Sequence, residues 1–141
     1  MHTIIELLNE KNFCLEKFIG VNATELSNFT SGNFDNLEEF YATREGLLEI
    51  IKKIDFLIDE KNQDPVDTAK ISVEFKRDIL DAQRTKNDLV GQILQQDLEI
   101  LSALESAKSE IIRELSSVRS NKKAIGSYKS GLISTRLDEE A

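Results

Sequence analysis

A single proline punctuates this chain, and it stands in Asp64-Pro65-Val66-Asp67. An Asp side chain can cap the first free backbone N–H groups of a helix, and a Pro at the first helical position forfeits no bond it would have made. Asp67 adds negative charge to the first turn, where the helix dipole favours it. No strong stop then follows until Gly126. The stretch from Asp64 to about Asn121 therefore reads as one long helix, roughly 80–90 Å if unbroken. No single earlier helix can cover that length.

Two shorter helices are predicted ahead of it. From Thr3 to about Phe29, residues Ile4, Leu8, Lys11, Leu15, Phe18, Asn22, Glu25 and Phe29 advance by alternating fours and threes. That is a heptad-like face, widened by Ile5, Ile19 and Leu26. Gly20 weakens this helix by about 1 kcal/mol relative to Ala, and Phe13 lies off the stripe as a second packing surface. Ser31-Gly32-Asn33 predicts a turn, with Gly supplying a positive φ and Asn33 able to cap the next helix. So short a loop sets the second helix antiparallel to the first. From Phe34 to about Lys61, residues Leu37, Phe40, Arg44, Leu47, Ile51, Ile54 and Ile58 alternate threes and fours without a slip. Phe34, Tyr41 and Leu48 recur beside them, so the face is too wide for one partner. Arg44 interrupts the stripe, and its aliphatic stem can pack while its charge reaches water.

The third helix divides in two. Ala69, Val73, Phe75, Ile79, Leu80 and Ala82 give its first half a moderate apolar face. The polar run Gln83-Arg84-Thr85-Lys86-Asn87-Asp88 follows, with Gly91 just beyond, and marks the candidate for a kink. A second stripe then runs through Val90, Leu94, Leu98, Leu101, Leu104, Ile111, Ile112, Leu115 and Val118. The hairpin can cover the first half but is too short for the second. Either the helix folds back at residues 83–91 to make a fourth helix, or the stripe is covered by another chain, a copy of itself or a foreign helix. The expected fold is all-α: an antiparallel helical hairpin plus a long third helix, as a three- or four-helix bundle or coiled coil over residues 1–121. Residues 122–141 read as a flexible tail.

Composition narrows the function. The chain has 141 residues, 40% hydrophobic and 31% charged, with a net charge of −8. That balance suits a single long-helix domain and disfavours a phosphate backbone as partner, so no nucleic acid is expected. Residues 108–136 nevertheless hold seven basic side chains against Glu110 and Glu114, a basic run that fits a solvated helix end or an acidic partner surface. The opening residues have no basic n-region and no long apolar run, so neither a signal peptide nor membrane insertion is expected. Cys14 is the single cysteine and His2 the single histidine. A reducing cytoplasm is the expected setting, and the sequons at Asn22 and Asn28 read as chance matches. No metal-ligand spacing, phosphate loop or nucleophile–base pair stands out, so neither a cofactor nor catalysis is expected.

Short motifs carry a resemblance. Thr43-Arg44-Glu45-Gly46-Leu47-Leu48 in the second helix, Lys86-Asn87-Asp88-Leu89-Val90-Gly91-Gln92-Ile93-Leu94 in the third, and the closing Lys122-Lys123-Ala124-Ile125-Gly126-Ser127-Tyr128 resemble flagellar export chaperones of the FlgN type. The polar run Gln83–Asp88 departs from that pattern and suits a four-helix arrangement of the FliT type with a different cargo. The resemblance implies a cytoplasmic, non-enzymatic protein that holds exported hook-associated subunits and passes them to the export gate. It places substrate contact at Leu101, Leu104, Ile111, Ile112, Leu115 and Val118, and a gate contact at Tyr128. The alternative reading of the residues is a structural coiled-coil or scaffold protein that self-associates, as a homodimer, through the second half of the third helix.

Overall fold

The computed structural model describes residues 3–63 and 71–129, with side chains described through residue 121. The described residues form three helices, α1 (Ile4–Thr30), α2 (Leu37–Gln63) and α3 (Val73–Lys129), and no strand. The chain falls into two units, Met1–Ile100 and Leu101–Ala141.

Each helix boundary has a local cause. Thr3 caps α1 in a reciprocal box: the Glu6 backbone N–H donates to Thr3 Oγ1 at 3.2 Å, and the Thr3 N–H donates to Glu6 Oε2 at 3.4 Å. At the other end Gly32 takes φ +86°, with its N–H bound to the Phe29 carbonyl and the Asn33 N–H bound to the Asn28 carbonyl. This paired closure satisfies two carbonyls that the helix end would leave free. Asn33 does not cap α2 as expected. Its Oδ1 accepts from the Asp35 N–H at 3.0 Å, so its side chain is used inside the turn and the helix starts at Leu37 instead of Phe34. Phe34 stacks on Phe29 at 5.3 Å, and Phe29 meets Phe40 edge-on at 5.2 Å, closing the hairpin with three rings.

The third helix begins later than the sequence suggested. Ser72 is its cap, with the Phe75 N–H donating to Ser72 Oγ at 3.0 Å, and Ile71 and Ser72 are not helical. The expected cap at Asp64-Pro65-Val66-Asp67 lies outside the described residues. The helix continues through Gly126 to Lys129, past the position where a tail was expected to start, and the tail beyond Lys129 lies outside the described residues.

Within Met1–Ile100, α1 is the shared neighbour of the other two helices. Lys11 pairs with Asp55 at 2.7 Å, and Phe18 lies under Arg44, so α1 and α2 run antiparallel. Asn12 reaches the Ala82 carbonyl, and Asn22 reaches Gln96, so α3 runs parallel to α1. Leu7, Cys14, Leu15, Ile51, Ile54 and Leu89 form the core, with Ile19, Ile58 and Ile93 packed against it. The inward line of α3 is Phe75, Ile79, Ala82, Lys86, Leu89, Ile93, Gln96 and Ile100, all buried or half-buried and spaced by fours and threes. The line crosses the polar run on the half-buried Lys86, whose aliphatic stem fills the seam position. The helix therefore has no need to fold back at residues 83–91, and it does not. The fourth-helix alternative is not realised.

Candidate functional site

The unit that starts at Leu101 buries none of its described side chains. Leu101, Ile111, Ile112, Leu115 and Val118 are 54, 57, 54, 50 and 47% exposed, and Leu104 is half-buried. At about 100° per residue, these six fall within a sector of roughly 120° on one face of α3. Scattered exposed aliphatics are ordinary on any surface. A set confined to one helix face is not, because covering each one fully contributes about 1.5–3 kcal/mol. All six expected contact residues thus share one outward surface. Tyr128 falls within α3, but its side chain lies outside the described residues.

The polar pattern around the row is balanced. Glu105, Glu110 and Glu114 stand against Lys108, Arg113 and Arg119 over residues 101–121. Lys108 is exposed and occupies the face itself, between Leu104 and Ile111. Sequence reasoning counted it only as part of a basic run. The signal that locates it is the spacing: threes and fours from Leu101 fall on Leu104, Lys108, Ile111, Leu115 and Val118.

In the unit Met1–Ile100, α3 shows a second set of uncovered side chains. Leu94 and Leu98 are 60 and 63% exposed, while Leu89 and Ile100 are buried. Tyr41 and Leu48 of α2 are also exposed, so the wide face read from the sequence is only partly used. Two shallow grooves flank α1. One, about 600 Å³, lies against α3 and is rimmed by Glu16, Asp78 and Asp81. The other, about 650 Å³, lies against α2 over Val21, Phe40 and Leu47. Neither lining sets a cysteine or histidine among its carboxylates.

The chemistry elsewhere is sparse. Among the described residues, no group of three or more His, Cys, Asp and Glu side chains converges as a metal site. Cys14 is free and buried in the core, and Asn22, the first sequon asparagine, is fully enclosed. No helix among the described residues is long and apolar enough to cross a membrane. What this arrangement can do is hold a second amphipathic helix against the outward row. The chain matches no known family model, and no curated protein or solved structure matches it.

Proposed function

We propose that this chain is a cytoplasmic export chaperone of the FlgN type, a binding protein with no catalytic role. Leu101, Leu104, Ile111, Ile112, Leu115 and Val118 hold an amphipathic helix of an exported hook-associated subunit. Held in this way, the subunit cannot assemble early and is delivered to the export gate, with Tyr128 as the gate contact. The observation that carries the reading is the row of aliphatic side chains left half-exposed along one face of α3. Heptad packing accepts one more strand on such a row, and a guest that orders on binding stays releasable. The sequence motifs of the second and third helices support the family assignment.

The same row supports a second reading, a scaffold protein that pairs with its own copy. Charge substitutions separate the two. Leu104→Asp and Ile111→Asp are expected to abolish capture of exported subunits while the helical circular dichroism signal is kept. Sedimentation of the parent chain as a stable oligomer without affinity for amphipathic helices favours the scaffold and sinks the chaperone.

A further inference from the structure

A positive charge is set into the outward row of α3. Lys108 has Leu104, Ile111 and Ile112 one turn away on its own helix, and Glu105 is the one carboxylate at that spacing. Lys108 is exposed, and among the described residues it makes no ion pair.

A helix laid on this row packs in layers, each seam side chain meeting a counterpart across the interface. Against a parallel, in-register second copy, Lys108 would meet its twin. Against an antiparallel or shifted copy, it would meet an aliphatic side chain. None of the seam positions Leu101, Leu104, Ile111, Leu115 and Val118 is a carboxylate. Glu105 and Glu114 stand at the two rims of the row, roughly 80–100° from its centre, so pairing the seam with itself sets no carboxylate in the layer that faces Lys108. An ammonium enclosed without a partner is unfavourable, and like charges in one layer act against the wrong partner.

Building on the binding role proposed above, we infer that the helix seated on this row is a foreign one whose aliphatic seam is interrupted by a single Asp or Glu in the layer facing Lys108. The aliphatic layers supply affinity. The carboxylate–ammonium layer sets the register and rejects helices that lack it, including a second copy of this chain.

The test uses the full chain and two synthetic three-heptad peptides with identical aliphatic seams. One carries Glu at the central seam position and the other Lys. Fluorescence anisotropy is expected to show the Glu peptide bound at least about tenfold more tightly, and Lys108→Glu is expected to invert that order. Equal binding of the two peptides, a preference unchanged by Lys108→Glu, or no binding of either overturns the inference. If Lys108→Glu loses helicity, Lys108→Met takes its place and must abolish the discrimination. The chaperone reading fails separately: an intact charge swap with the peptides but no capture of exported subunits removes that role and leaves the counter-charge. Capture of subunits that ignores Lys108→Glu, with no peptide discrimination, removes the counter-charge alone.

Discussion

The guanidinium of Arg44 lies between two aromatic rings and ends on Asp97. Its Cζ is 4.7 Å from the Phe18 ring centre and 4.9 Å from that of Phe40, and Nη2 donates to Asp97 Oδ1 at 3.2 Å. One side chain thereby touches all three helices of its unit. A planar, weakly hydrated guanidinium suits this slot better than a strongly hydrated lysine ammonium. Arg44→Lys is expected to lower stability by about 1 kcal/mol in urea unfolding. Asp97→Asn is expected to cost less, about 0.5 kcal/mol, because Asp97 is 38% exposed and the pair is screened by water. The reverse order would show that the ion pair, not the stacking, holds the slot.

Gly91 sits on the exposed side of a helix that passes through it unbroken, and an added Cβ would meet nothing within 4 Å. Gly91→Ala therefore removes backbone freedom from the unfolded chain at no steric cost. The expected gain is about 0.5–1 kcal/mol, read as a raised melting temperature. If a hinge at this point were part of the solution structure, Gly91→Ala would lower the melting temperature instead.

The line of α2 from Leu37 to Ile58 was legible in full, because a strict alternation of threes and fours has one helical solution. Positions Leu7 and Cys14 of α1 were not. A helix touched on two sides carries two seams, and a single heptad line drawn along it keeps only one. The start of α3 at Val73 was not legible, because Ser72 is an ordinary residue until its Oγ is seen under the Phe75 N–H. The seam of α3 was missed at Lys86 and Gln96 because polarity hides a stem or an amide that packs inward. The outward row from Leu101 to Val118 was legible as surplus apolar surface. Its embedded Lys108 was passed over when charge was summed along the chain and not placed on the helix.

Asn22 is the most enclosed polar side chain described. Its Nδ2 donates to Gln96 Oε1 at 3.1 Å, and Gln96 Nε2 donates to the Ile19 carbonyl at 3.1 Å, while Asn22 Oδ1 has no partner. Gln96→Leu alone strands the remaining Asn22 amide, so a loss of about 1–3 kcal/mol is expected. Asn22→Leu combined with Gln96→Leu removes the need for any partner and is expected to restore stability to within about 1 kcal/mol of the parent. A double-mutant cycle by urea unfolding checks this, and simple additivity of the two changes would refute the coupling.

Leu7 and Ile111 are chemically alike and physically opposite, at 1 and 57% exposure. Leu7→Ala empties a site that its neighbours cannot refill, so a loss of about 2–5 kcal/mol is expected. Ile111→Ala removes a methyl-rich side chain that is already wet and replaces a β-branched residue with the best helix former, so its effect should stay within about 0.5 kcal/mol of zero. Urea unfolding of both variants at two widely separated protein concentrations decides the matter. A loss at Ile111 that approaches the one at Leu7 and grows with concentration would mean that a second copy already covers the row, leaving no open face for a guest.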